Sequence, residues 1–451
     1  MSVFEYILLS RRVVRPEGIG PAGIHVRGGR IADVIPQPRG GALPGLPPGV
    51  PVTDAGDSVV LPGLVDTHVH INDPGRADWE GFATATLAAA SGGVTTVLDM
   101  PLNSIPPTTD RKALDIKGEA AAGRIRVDVG FWGGLVPGNE AELSPLKAAG
   151  VFGYKCFLCP SGVPEFPEVS DHDLLVATER LGETPLLVHA ESSGRLLPWK
   201  GKPESYSSYL ASRPASAEND AISRMIRLST VSRTPVHVLH LSSAEALEPL
   251  ARAKAEGVRI TAETCPHYLT FAAEEIPDGA TEFKCAPPIR GEENRERLWQ
   301  GLADGTIDMV VSDHSPSPPE LKKKGAGDFS SAWGGISSLG LTLSATWTEA
   351  RKRGFGLEHI ARWMSGSPAK LAGLRPWKGG IAAGRNADFV VWNPDAEWRV
   401  DPERLHVRHK LTPWAGRVLQ GVVEATYLKG RRIYERGEFL STPRGEILLS
   451  A

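Results

Sequence analysis

Cysteine is scarce, with four in 451 residues. Cys156, Cys159, Cys265 and Cys285 are too few and too unevenly placed for a disulfide framework, so a reducing compartment fits. Cys156-Phe157-Leu158-Cys159 has the spacing of a redox or zinc-ribbon motif, but there is no second pair, and buried thiols are the simpler reading. No apolar stretch reaches the length needed to cross a bilayer. Met1-Ser2-Val3-Phe4-Glu5 opens a strand-like segment rather than a basic region followed by an apolar signal. The chain therefore reads as cytoplasmic, with no membrane partner. Charge of one sign is lacking too: the formal net charge is -3, from well-mixed acidic and basic residues. That excludes the electrostatic footprint of a nucleic-acid binder and points to a small-molecule ligand. The one basic cluster, Lys322-Lys323-Lys324, lies beside glycine and proline and reads as a solvated loop face. No internal repeat is visible.

What the chain does have is a succession of apolar, strand-like runs. From residue 59 they recur about every 20 to 50 residues with helix-like segments between them, as in repeated βα units. Strands are expected near 59–71, 93–100, 126–133, 150–158, 184–190, 236–242, 258–265 and 307–313. Segments such as 79–90 and 244–254 supply helices. Eight such units predict an α/β protein, a (β/α)8 TIM barrel whose active site lies at the C-terminal strand ends. Residues 1–58 and 379–451 instead hold short β-like runs with glycine turns. They are expected to pair into one small composite β-sandwich, with Pro36 to Pro51 as a loop and the barrel spanning 59–378.

Polar residues gather where the active end of such a barrel belongs. Asp66, His68 and His70 alternate along the first strand, so they share one face. Strand four carries Lys155, strand five ends at His189 with Glu191 just beyond, strand six ends at His240, and strand eight ends at Asp313. Strand parity puts His237 on the side opposite His240 and makes Asp313 the inward residue of its strand. His314 then opens a loop, as a substrate contact or an exposed residue. Two imidazoles at this spacing can grip one divalent ion. Lys155 is the odd member, since an ammonium beside two cations would be repelled and desolvated. Either it is neutral and carries a carbamate able to bridge two metals, or it pairs with Glu191 or Asp313. The residues alone leave both open.

Several motifs settle more. PGLVDTHVH (62–70), GYKCF (153–157), VHAE (188–191), LHLSS (239–243), ETCPHYL (263–269) and SDHSP (312–316) resemble the cyclic amidohydrolases of the amidohydrolase superfamily, over nearly the full chain. Within that group INDPGRADWEGF (71–82), DMPLNSIPPT (99–108), KCAPPIR (284–290), WGGISSLG (333–340) and RHKLTPW (408–414) are most similar to the allantoinases. Ser317 stands where many of that family have cysteine, and Asp73 where many have glutamate.

The resemblance implies a (β/α)8 barrel with a composite β-sandwich, a homotetramer, and two divalent ions, zinc foremost with cobalt, manganese or nickel as alternatives. His68, His70 and Asp313 would hold one ion and His189 and His240 the other, with a carboxylated Lys155 bridging them. A hydroxide shared between the ions would attack a ring amide carbonyl, and Asp313 would carry its proton to the leaving nitrogen. The implied substrate is allantoin, opened to allantoate, with contacts at Asn103, Ala286, Pro287 and the following Pro288, and Gly334 and Gly335. The polar loop Ser315 to Trp333 would cover the site; alternatively it is a mobile surface loop. Dihydroorotases share the metal motif but carry a carboxylate-binding arginine where this chain has Asn72. Hydantoinases and dihydropyrimidinases place a tyrosine shortly after the bridging lysine, where Cys159 and Pro160 stand here. A non-catalytic assembly protein with the same fold is a third alternative, opposed by the filled ligand positions.

Overall fold

The structure, a computed structural model, describes residues 4–37, 49–439 and 442–450. Eight parallel strands follow one another around a barrel: Leu64–Val69, Val94–Asp99, Asp128–Phe131 with its continuation Gly133–Gly134, Tyr154–Phe157, Leu186–His189, Val236–Val238, Ile260–Thr264 and Met309–Val310. The third is interrupted at Trp132, so that Asp128–Phe131 pairs with strand two and Gly133–Gly134 with strand four. Closure joins strand eight back to strand one through a bridge between Val69 and His314. The Asp66 carboxylate adds to it by accepting the Ser312 N–H at 3.1 Å.

Near-continuous apolar strands are what a parallel sheet covered on both faces requires, and Leu64–Val69, Val94–Asp99 and Leu186–His189 are buried along their whole length. Helices return the chain between strands, and their starts are written locally. Ser170 and Asp173 form a reciprocal capping box ahead of Asp171–Leu181, and Asp110 accepts the Ala113 N–H at 2.8 Å to begin Arg111–Ala121. The segment expected as helix from residue 79 starts at Phe82, because Gly81 (φ 91°) breaks it. Among the described residues no helix is long and apolar enough to cross a membrane.

Both chain ends build a second sheet. Its nine strands include Glu5–Arg15, Gly18–Arg27 and Arg30–Pro36 from one end and Phe389–Arg399, Val418–Leu428 and Arg431–Glu435 from the other. They share a core of Leu8, Val13, Ile24, Val60, Phe389, Val391 and Tyr427. Val59–Pro62 stitches the halves together, parallel to Glu5–Arg15 and antiparallel to Phe389–Arg399. The apolar run at 59–71 is thus two strands in two sheets. They part at Gly63, where a Cβ would come within 2.4 Å of Thr95 Oγ1. At the other end Glu446 and Leu448 return to the barrel, exchanging hydrogen bonds of 3.0 and 2.8 Å with Val129. Lys378 ties barrel to sheet, its buried Nζ lying 2.9 Å from Asp128 and 2.7 Å from Asp388. Met1 to Val3, and most of the loop expected between Pro36 and Pro51, lie outside the described residues.

Candidate active site

His68, Lys155 and His189 lie within their strands, but in strands six and eight the ladders stop short of the functional residues. The apolar runs predict strand six to 242 and strand eight to 313, but the ladders end at Val238 and Val310. Beyond them the chain turns through left-handed backbone at His240 (φ 35°) and Asp313 (φ 43°). Non-glycine residues pay conformational strain there, and such strain concentrates at functional sites. The turn also corrects the parity reading of His237. Its Nε2 lies 2.9 Å from Glu263 Oε2, and Glu263 Oε1 lies 2.5 Å from His68 Nδ1 and accepts the His240 N–H at 3.3 Å. His237 therefore shares the interior with His240, because alternation ends where the ladder ends.

His68, His70 and His189 each have one ring nitrogen committed and the other bare. His68 donates Nδ1–H to Glu263, which leaves Nε2 as a lone pair. His70 donates Nδ1–H to the Leu102 carbonyl at 3.2 Å, again freeing Nε2. Those nitrogens lie 3.2 and 3.9 Å from Asp313 Oδ1. On the other side His189 donates Nε2–H to Glu191 at 2.8 Å, and its bare Nδ1 faces His240 Nε2 at 3.1 Å. The His189 ring is held by stacking on Phe157, with centroids 4.5 Å apart. Arg213 neutralises Glu191 with bonds of 3.0 and 2.7 Å. Burial would raise the Glu191 carboxyl, but Arg213 and His189 hold it at about 2. Burial, reinforced for His68 and His70 by the nearby Lys155, keeps His68, His70 and His240 neutral, with pKa values well below the ordinary one, and lowers that of His189. Neutral rings with converging lone pairs are metal-ligand chemistry.

Lys155 lies beneath this cluster, its Nζ 3.5 Å from His68 Nε2 and 5.0 Å from the Phe157 ring centroid. Among the described residues it has no carboxylate at ion-pairing distance: Glu191 is taken by Arg213, and the Asp313 oxygen faces His68 and His70. Burial drives the ammonium pKa down and the Asp313 carboxyl pKa up. The ligand atoms of His68, His70 and Asp313 all lie within 4.8 Å of one another. Cys159 sits within the same limit of His189 and Glu191, and Cys265 of His267 and Asp313, but burial pushes both thiols up and keeps them protonated.

The cluster opens into a cavity of about 550 Å³ lined by Asn103, Ala286, Gly334 and Gly335, with Trp199, Tyr209, Arg213, Lys284, Phe329 and Trp333 around the rest. Pro287 is buried behind the wall and does not line it. Asn103 is fixed by donating to Asn72 Oδ1 at 3.2 Å. Gly335 (φ 120°) passes so close to Ser315 that a Cβ would come within 2.2 Å of its carbonyl, whereas one at Gly334 would meet open space.

The loop from Ser315 to Trp333 forms a wall of the cavity and is tied down. Lys322, expected on a solvated face, is buried and donates to the Lys284, Trp333 and Gly335 carbonyls at 2.6, 3.2 and 2.5 Å; Lys323 and Lys324 remain exposed. His314 is fully buried, with Nδ1 accepting the Ser338 N–H at 3.1 Å and Nε2 lying 3.2 Å from Glu80, so it is neither exposed nor a cavity residue. Sequence reading missed Glu263, Arg213 and Lys284. A glutamate inside the apolar strand Ile260–Thr264 was a signal for the first; Arg213 comes from an irregular connection with none.

A barrel closed by eight parallel strands, with histidines, a lysine and an aspartate at their C-terminal ends, is the architecture of a metal-dependent hydrolase. The chain belongs to the amidohydrolase family, whose description matches residues 59–433. It is 53% identical to the allantoinase of Streptomyces avermitilis over 99% of both chains. It is 44% identical to the allantoinase of Arabidopsis thaliana, over 99% of this chain and 91% of that one. Among solved structures, the L-hydantoinase (dihydropyrimidinase) of Arthrobacter aurescens superposes with a TM-score of 0.89 at 31% identity, covering 98% of this chain and 100% of the other.

Proposed function

We propose that this chain hydrolyses the ring amide of allantoin to give allantoate. In this reading His68, His70 and Asp313 would hold one divalent ion and His189 and His240 a second, with Lys155, as a carbamate, a ligand they would share. The observation that carries it is the set of bare imidazole nitrogens of His68, His70 and His189, each fixed by a partner on the opposite ring nitrogen, together with His240 Nε2 facing His189, around a buried lysine that has no carboxylate at ion-pairing distance among the described residues. His, carboxylate and carbamate donors suit zinc, and cobalt, manganese or nickel as well. Ions bound there polarise the ring carbonyl and lower the pKa of an attacking water toward neutrality.

The chain's own groups do the rest. Asp313, raised by burial, takes the proton of the attacking water and passes it to the leaving ring nitrogen. Glu263 and Glu191 keep His68 and His189 in the tautomers that present their free nitrogens. Asn103 and the backbone at Ala286, Gly334 and Gly335 orient the ring, and the aromatic walls exclude water. The 53% identity to an allantoinase over the whole length supports the substrate.

A hydantoinase reading draws on the structural neighbours. Incubating the metal-loaded protein with allantoin, hydantoin, dihydrouracil and dihydroorotate separates the two, and faster opening of hydantoin or dihydrouracil than of allantoin would reverse the choice. Measured metal content tests the ions, native mass the homotetramer that family habit supports, and fractionation the cytoplasmic location.

A further inference from the structure

The cavity contains a cation that the hydrolytic chemistry does not use. Lys284 follows the turn Thr281–Phe283 and extends a half-buried side chain into the cavity wall. Its Nζ donates to the Ala332 carbonyl at 2.5 Å and lies 5.2 Å from the Tyr209 ring centroid. Among the described residues no carboxylate comes within ion-pairing distance of it; Asp328 acts on it only from farther away. An ammonium has three N–H donors, so two remain for whatever fills the cavity. Burial and the nearby Arg213 bring its pKa down to about 8, which still leaves it charged at neutral pH. A partly desolvated cation with unfilled donors is costly unless the ligand supplies an acceptor.

We propose that Lys284 is the specificity-determining residue for the substituent on the substrate ring, donating to an exocyclic ureido carbonyl and selecting ureido-bearing hydantoins over alkyl-substituted ones. The inference rests on the allantoin reading and deepens it. The ring amide must lie at the His70, His189 and Asp313 end of the cavity for its carbonyl to react. The substituent on the adjacent ring carbon then extends toward Trp199, Tyr209 and Trp333, where the Lys284 ammonium, bonded to the Ala332 carbonyl, still has donors to give. A methyl or aryl group there satisfies the aromatic wall but strands the ammonium, and stranding a built-in donor is how a site rejects an analogue that lacks the acceptor.

A second role is built into the same residue, because its backbone carbonyl accepts Lys322 Nζ at 2.6 Å and its side chain holds Ala332. Support of the loop would affect all substrates alike, so the test is a ratio. Steady-state kcat/KM is measured for metal-loaded wild type, Lys284→Met and Lys322→Met on allantoin and on 5-methylhydantoin. Removing a charged hydrogen bond to substrate should lower the allantoin value for Lys284→Met by about 10- to 100-fold. The 5-methylhydantoin value should change by less than about threefold, the analogue never having made that bond. Lys322→Met, which loosens the same loop and the Lys284 backbone but leaves the Lys284 ammonium in place, should lower both substrates together. Equal losses on both substrates in Lys284→Met, or no loss on either, overturn the proposal. A wild type that opens 5-methylhydantoin but not allantoin overturns the underlying substrate reading instead, whatever the variants do.

Discussion

Lys117, Lys155 and Lys378 are all sealed inside the molecule, yet only two of them are satisfied. Lys117 lies 2.6 Å from Asp99 and also donates to the Met100 carbonyl at 2.9 Å. Lys378 sits between Asp128 and Asp388; burial alone would lower its pKa, and the two carboxylates hold it up instead. Lys155 has neither arrangement: His68 Nε2 and the Phe157 ring lie beside it, Asp313 and Glu263 act on it only from beyond ion-pairing distance, and burial drives its pKa down. Burying a charge is tolerable when it is paired and untenable when it is not. The satisfied lysines are joints of the scaffold. Lys155 has no such joint among the described residues and lies instead against the histidines of the candidate active site.

That contrast is open to direct attack. Lys155→Ala should lose metal and turnover together, by about a thousandfold or more, while added short carboxylic acids restore a fraction by taking the place of the carbamate. Metal analysis and intact native mass provide the readouts, and a fully active protein with an unmodified lysine would return Lys155 to the class of its two counterparts. Asp313→Asn should keep at least one ion and still lose about 10²- to 10⁴-fold in kcat, as expected for loss of the proton shuttle. Allantoin should be preferred to dihydroorotate by about a thousandfold, because Asn72 spends its amide on Pro316 and Asn103 and offers no cation to a carboxylate. Comparable rates would mean that another residue, Lys284 foremost, supplies the charge.

Lys378→Met should show the opposite profile to the Lys155 variant. Leaving buried Asp388 without its cation, and Asp128 with only Lys429 at 3.2 Å, should cost about 3–5 kcal/mol of stability, read as a lower thermal midpoint, with metal content and KM unchanged. The smallest effect concerns another unsatisfied group. His267 is fully buried with neither ring nitrogen hydrogen-bonded among the described residues, and burial together with Lys322 lowers its pKa to about 3. The unfolded chain binds a proton there below about pH 6.5 that the folded chain refuses down to about 3. Stability is therefore complete above the upper value and declines as pH falls through that window, by about 2 kcal/mol at pH 5. His267→Leu should show a smaller drop in thermal midpoint between pH 7.5 and pH 5 than wild type.

Much of the fold and of the site is legible in the order of residues along the chain. Apolar runs with polar ends announce the barrel, and the alternation of Asp66, His68 and His70 puts three polar groups on one face. Two of these, His68 and His70, aim at Asp313. The third, Asp66, instead locks strand one to strand eight through His68 and Ser312. Alternation fails at His237 because it holds only while the ladder lasts, and left-handed turns at His240 and Asp313 re-aim side chains that strand parity would assign otherwise. The run at 59–71 conceals two strands because an apolar pattern records that a segment is buried, not which sheet buries it. The basic triplet at 322–324 conceals a buried lysine because composition cannot register three carbonyls converging from Lys284, Trp333 and Gly335.

The sequence by itself determined which residue types stand at the strand ends, since period and hydrophobicity act over neighbours and need no partner. Only the tertiary structure decided their states. Glu263, far from His68 in the chain, selects that ring's tautomer; Arg213 keeps Glu191 charged; and the absence of a carboxylate beside Lys155 sets it apart from Lys117 and Lys378. Protonation and tautomer depend on what lies within a few ångströms in space, and distances of that kind between remote residues exist only once the barrel has closed.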